Sequence, residues 1–228
     1  MPRNTNPPSS TPRREFLGRI AATSLAVGLG GAIPSSLAAA APAAGRHGNP
    51  ESWLDDLHGK HRQVFDAVSP NGGMSLIWAW VFMDAHEKTE HLSDADVNPV
   101  VVIRHEALPL ALTDAVWSRY KLGEAFKITD PATKAPSLRN PYYHPNPGEL
   151  MLPGASIDAL LARGVHFGVC NVALSVLSGM HAAAAGVSKE QAYKEWVAGV
   201  IPGITVVPAG VWAVNHAQEH GCSYCYAG

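Results

Sequence analysis

Three cysteines occur among 228 residues, and their settings differ. Cys170 closes the run Val165-His-Phe-Gly-Val-Cys170, which reads as a short buried strand. Asn171 to Ala185 follows, small and apolar enough to be a packed helix. The thiol therefore falls at a strand-to-helix junction, where free backbone amides and the positive end of the helix favour thiolate, the nucleophilic form. The competing reading is a buried structural cysteine, because free Cys packs like a small hydrophobe. His105, two residues beyond the apolar run ending at Ile103, is a candidate base or anion ligand for that thiol; a loop histidine bonded to backbone is the alternative. Asn71, Gly72 and Gly73 leave amides free between a strand and a helix. They lack both the spacing of a dinucleotide fingerprint and the lysine of a phosphate-binding loop. With Asn171 and Pro208 they make up the residues expected to face a ligand beyond the carboxyl ends of the strands.

A second constellation lies at the end: His216-x-x-x-His220-x-Cys222-x-x-Cys225. Histidines four apart share a helix face, and two thiols follow, so a bound metal ion is one reading. A redox or disulfide pair is another, and structural cysteines a third. The geometry of the tail decides: on a strand, Cys222 and Cys225 point to opposite faces, whereas a turn would bring them together. Three other motifs fail on inspection. His216-Ala-Gln-Glu-His220 fits an inverted zinc-peptidase pattern, but only eight residues follow, too few for the downstream carboxylate ligand. His86-Glu87 and His91 are one residue too far apart for H-E-x-x-H. Tyr226, rather than His, follows Cys225, so there is no haem attachment.

The elements that must hold these residues alternate. Lys60 to Val68 is the first expected strand, broken by Ser69-Pro-Asn-Gly-Gly73, and Met74 to His86 the first helix. Pro99-Val-Val-Val-Ile103 has the continuous apolar character of a parallel strand covered on both faces. Leu108 to Tyr120 returns to helical spacing. Ser156 to Arg163 is a short helix before the Val165 strand, and Ser188 with Gln191 opens another helix as a capping box. Ile204 to Val207, a helix from Val211 to His220 and a short strand from Cys222 to Tyr226 complete the series. Alternation of this kind specifies a parallel sheet with right-handed crossovers: an α/β flavodoxin-like three-layer sandwich of about five strands over residues 60–228. If its order is 2-1-3-4-5, the ligand crevice lies between the first strand and the one ending at Cys170. Residues 45–59 form a polar lead-in. Residues 121–153, with prolines at 131, 136, 141, 145, 147 and 153, form an aperiodic insertion, read as a functional flap or partner surface or as a plain exposed insertion. Trp78, Trp80, Trp117, Trp196 and Trp212 sit on expected helices and are read as core.

Residues 1–44 read as a leader. Arg13 and Arg14 precede Phe16 and Leu17, a modestly apolar run follows from Ile20, and Ala38-Ala-Ala40 offers a cleavage site, the pattern of a twin-arginine export signal. Its apolar run is too short and too rich in small residues for a membrane anchor. Removing it takes away four arginines and one glutamate, leaving about 185 residues with a net charge of about −5. A mildly acidic chain without a basic block is a poor nucleic-acid binder. A periplasmic or secreted location follows, with the twin-arginine machinery as one partner.

The residues Val165-His-Phe-Gly-Val-Cys-Asn-Val-Ala-Leu174, the Pro-Gly before Ile204, Val207-Pro-Ala-Gly-Val211, Gln218, Gly221 and Tyr224 resemble the DsrE/DsrF-like family, which includes sulfur-relay proteins of the TusD type. The resemblance runs from about Lys60 to Tyr226, with its recognisable motifs in the last third. It implies a flavodoxin-like parallel sheet, oligomerisation or docking to a relay partner, and sulfane sulfur carried as a persulfide on the cysteine at position 170, with no cofactor required. Arg104 to Asp114, the Thr129 to Thr133 stretch, the leader and Cys-x-x-Cys at the end depart from cytoplasmic sulfur-relay members and resemble an exported subgroup. The functions in view are therefore a persulfide carrier or thiol-redox protein using Cys170, a metal-binding protein using the terminal cluster, and a non-catalytic binding or assembly subunit.

Overall fold

The computed structural model describes residues 49–50 and 52–228. The expected leader, residues 1–44, lies outside them. No helix among the described residues is long and apolar enough to cross a membrane.

The elements follow the expected alternation: β1 (His61–Ala67), α1 (Met74–Glu90), β2 (Val97–Ile103), α2 (Asp114–Tyr120), α3 (Leu122–Ala125), α4 (Ile157–Ala162), β3 (His166–Cys170), α5 (Asn171–His181), α6 (Lys189–Ala198), β4 (Ile204–Val207), α7 (Gly210–Glu219) and β5 (Ser223–Tyr226). Two expected helices are shorter than their apolar pattern. Residues 105–111 wind as a 3-10 helix before α2, because Pro109 denies a continuous α-helix its backbone donor. Beyond α5, Ala182–Ala185 tightens into a 3-10 turn that Gly186 ends in the left-handed region. The Ser188 cap forms as expected, its hydroxyl accepting the Gln191 amide at 3.2 Å.

All four strand pairings are parallel, in the order β4-β3-β2-β1-β5. The expected order 2-1-3-4-5 is thus corrected, since β1 lies between β2 and β5 and has no contact with β3 along the sheet. Successive steps β1 to β2, β3 and β4 run in one direction, so right-handed crossovers set their helices on one face. The return from β4 to β5 runs the other way and sets α7 on the opposite face.

Two cores match this division. Phe65, Val101, Ile103, Phe167, Val169, Ile204 and Val206 meet Leu76, Met83, Trp117, Leu174 and Trp196 on the crowded side. Val64, Val100, Val102 and Val207 meet Ala213, Ala217 and Cys222 on the other. The α/β flavodoxin-like three-layer sandwich holds, with one thick and one thin outer layer.

The lead-in completes the thin layer. Trp53, Leu54 and Leu57 are buried there, and the Trp53 indole lies so close over β3 that a Cβ on Gly168 would sit 2.7 Å from its ring. A segment read as a polar approach is thus part of the core. The 121–153 insertion is also built in: Asn140 is buried with its amide donating to Leu110 O and Leu112 O at 2.9 Å, and Arg139 ties Asp130 to Glu149.

Candidate functional site

β3 and β4 are adjacent, yet the helices that follow them, α5 and α7, lie on opposite faces. That divergence makes the carboxyl ends of these two strands the topological switch point, the place where open parallel sheets bind ligands. Cys170 ends β3 and pairs in register with Val207, the residue before Pro208. The switch point expected beside β1 is therefore at β3 and β4, and Cys170 lies at it for a different topological reason.

Cys170 is also the N-cap of α5. Its backbone is extended, at φ −68° and ψ 114°, and its Sγ accepts the Ala173 amide at 3.3 Å. Sulfur here occupies the place a Ser or Asp oxygen takes in an ordinary cap, which satisfies one of the free amides of the helix. The side chain is 7% exposed.

The neighbour that matters was not singled out from the sequence. β2 and β3 pair up to Ile103 and Val169, so Arg104 comes beside Cys170 at the next step. Arg104 is held by Asp66 of β1 in a two-point bridge, Nε to Oδ1 at 2.7 Å and Nη2 to Oδ2 at 2.9 Å. Asp66 is nearly fully buried, and Tyr224 of β5 donates its hydroxyl to Oδ2 at 2.9 Å. Hydrogen bonding to Asp66 is the main cause that raises Arg104 above its ordinary range, and the fields of Tyr224 and Cys170 act in the same direction. Burial, and then the bond to Asp66, push the Tyr224 phenol up.

The arginine stem lies against the start of α7, where a Cβ on Gly210 would fall 2.6 Å from Arg104 Cβ. Nη1 has no hydrogen-bond partner among the described residues. The guanidinium is thus fixed toward β1 with a spare donor, on the residue that follows in register beside the thiol at the helix start. A sequence signal existed: an aspartate inside the apolar Val64-Phe-Asp-Ala67 strand and an arginine directly after Ile103.

The other expected site residues divide. His105 is exposed at the same carboxyl end of the sheet with φ +52°, a left-handed conformation that costs a non-glycine residue free energy, and no side-chain hydrogen bond holds its ring among the described residues. Pro208 is exposed beside Cys170. Asn171 is committed elsewhere, since its carbonyl accepts the Tyr193 hydroxyl of α6 at 2.7 Å. Asn71, Gly72 and Gly73 do not join Cys170. They line a separate cleft of about 250 Å³ closed by the insertion through Tyr142, Glu149, Met151 and Leu152. Gly73 is needed there, at φ +82° and with Tyr142 so near that a Cβ would sit 2.8 Å from its ring. A second cleft, of about 490 Å³, lies at the amino ends of β3 and β4 between Trp53, His166 and Pro202. Cys170 lines neither.

The terminal cluster does not assemble as a four-ligand metal site. His216 and His220 stack edge to face with centroids 4.3 Å apart, and His220 Nδ1 lies 2.8 Å from His216 O. Cys222 is buried in the thin-side core, where burial pushes its thiol up to about 11. Cys225 is on β5 and packs toward the thick side. The tail is a strand, so the two thiols diverge, which corrects the metal reading of His216, His220, Cys222 and Cys225 and equally the redox-pair reading. All three cysteines are free.

No family model matches the chain, and no curated protein does. Among solved structures the chain is similar to a protein of unknown function from Methanobacterium thermoautotrophicum, at 16% identity and a TM-score of 0.37, over 73% of this chain and 98% of that one.

Proposed function

We propose that the protein is an exported single-thiol carrier of sulfane sulfur, with Cys170 as the carrier. The observation that carries this reading is the Cys170 Sγ, which accepts the Ala173 amide at the carboxyl end of β3, with Arg104 beside it in the backbone register of β2. An anion at this point meets the starts of two helices and a guanidinium that Asp66 and Tyr224 hold still.

The chemistry is one exchange. The Cys170 thiolate attacks the outer sulfur of a donor persulfide, a new S–S bond forms, and the donor S–S bond breaks, its electron pair leaving on the donor thiolate. The product is a Cys170 persulfide, which yields its proton to the departing donor thiolate to become the anion, and no external oxidant or reductant enters. Arg104, through its free Nη1, would hold the terminal sulfur; His105 would flank the opening. A single thiol suits this better than dithiol redox, because neither Cys222 nor Cys225 shares the site.

The partner is a protein that brings or takes the sulfur, a relay protein or a second copy. Val172, Val176 and Met180 support this part: they form one exposed stripe along α5 that begins two residues after Cys170. The expected leader would send the folded carrier to the periplasm or outside.

The test is cyanolysis. Protein charged with polysulfide and then desalted should release about one thiocyanate per chain on treatment with cyanide. The yield should survive a Cys222→Ser, Cys225→Ser double variant and vanish in Cys170→Ser, which keeps a good helix cap. Undiminished release from Cys170→Ser would overturn the reading.

A further inference from the structure

At the amino ends of the strands, opposite the carboxyl end that bears Cys170, the first residue of β1 meets the last turns of α1. His86 and Glu90 are four residues apart on α1 and therefore share a face. His61 opens β1 directly beneath them. Its ring stacks on that of His86 with centroids 4.1 Å apart and planes 23° off parallel. His86 Nδ1 is 2.6 Å from Glu90 Oε1, and His61 Nε2 is 3.2 Å from Glu90 Oε2. One nitrogen from each histidine and one oxygen of the glutamate all lie within 4.8 Å of one another.

We propose that His61, His86 and Glu90 form a binding site for a divalent transition-metal ion of the zinc type. Two imidazoles and a carboxylate are a borderline donor set that suits such an ion and leaves a fourth position for water. Bonds of about 2.0–2.1 Å in a tetrahedron set donor atoms about 3.4 Å apart. The two histidine–glutamate contacts, at 2.6 and 3.2 Å, are somewhat shorter than that value and the three donors stay within 4.8 Å of one another, so small side-chain rotations suffice.

Two details favour a ligand over a plain ion pair. His61 Nε2 is enclosed yet makes no hydrogen bond, even to the glutamate 3.2 Å away, so a donor atom is oriented and unused. Among the described residues the only other charged group on the carboxylate is Lys60, whose ammonium is 3.2 Å from Oε2 and whose side chain is 66% exposed, so it can swing into water when a cation arrives. The floor is apolar and fixed: Phe82 meets His86 edge-on at 4.8 Å and Phe65 at 5.9 Å. Packing of α1 on β1 therefore sets the three donors before any ion binds.

The experiment uses the full chain without a histidine tag, stripped with a chelator and titrated with Co²⁺ while the visible spectrum is followed, then with Zn²⁺ in competition. The expected result is a tetrahedral Co²⁺ spectrum saturating at about one ion per chain and bleached by Zn²⁺. Affinity should fall by at least about 100-fold in His86→Gln and in Glu90→Gln, since even outer partners of a metal ligand are worth 10–100-fold. The double variant His216→Ala, His220→Ala should bind unchanged. Circular dichroism of the two partly exposed α1 variants should match wild type, which keeps a loss of binding attributable to the ligands. Absence of a saturable spectrum would overturn the proposal. So would a spectrum that persists in Glu90→Gln and His86→Gln, or one that disappears with His216 and His220.

Discussion

The thiols show how strongly setting governs one residue type. Cys222 lies in the thin-side core with its thiol pushed up to about 11 by burial, whereas Cys170 stands at a helix start beside an arginine. Native protein treated with iodoacetamide near neutral pH should therefore leave Cys222 unlabelled until denaturant is added; peptide mapping checks this. Asp66 is the other decisive residue. Its carboxylate is buried, and Arg104 supplies two of its three side-chain hydrogen bonds. Replacing one partner of a buried pair costs about 3–5 kcal/mol, and the partial exposure of Arg104 sets Arg104→Met toward the lower end. Arg104→Lys keeps the charge and loses the two-point bridge, so it should fold better than the methionine variant and carry less sulfur than wild type. Urea midpoints and thiocyanate yields read the two effects separately. Both residues were legible in principle, as charges embedded in or ending apolar strands, but their pairing required the β1–β2 register. His105 drew attention as the imidazole nearest that edge, and the register gave the place beside the thiol to its predecessor.

Elements were the most legible level. A run such as Val100-Val-Val-Ile103 can scarcely be other than a buried strand, and Pro99 is tolerated because β3 pairs with β2 only from Val100 onward. Helix ends depended on local chemistry that the apolar pattern hides, as at Pro109. The lead-in was misread because Trp53, Leu54 and Leu57 form turns without a repeating period, yet they close one face of the sheet. Gly168 makes this testable: an alanine there meets the Trp53 ring and should cost about 1–3 kcal/mol as overpacking, seen as a lowered melting temperature with altered tryptophan fluorescence. Between helices, Glu195 of α6 accepts from Arg119 and Tyr120 of α2 and its carboxyl is lowered to about 2, first by Arg119. A depressed carboxyl stabilises the fold above its unfolded value of about 4.3, and that contribution is lost as pH falls toward 2. Glu195→Gln should accordingly lose less stability than wild type across that window in acid denaturation.

At the scale of the whole molecule, strand order decided the functional geometry, and it was the least legible feature. Alternating strands and helices fix parallel pairing and handedness but leave open which neighbour each strand takes. The order β4-β3-β2-β1-β5 moves the switch point to β3 and β4, separates the Asn71–Gly73 turn from Cys170, and leaves α7 almost alone on its face. The same architecture puts the thiol at the carboxyl end of β3 and the His61, His86 and Glu90 cluster at the amino end of β1, so the two proposed sites should fail independently. The most direct test of the sulfur-carrier account is mass spectrometry of the polysulfide-treated full chain, intact and after digestion. The account predicts a single addition of about 32 Da, mapped to the peptide bearing Cys170 and absent from Cys170→Ser. An unmodified Cys170, with the added sulfur on Cys225 or nowhere, would contradict it.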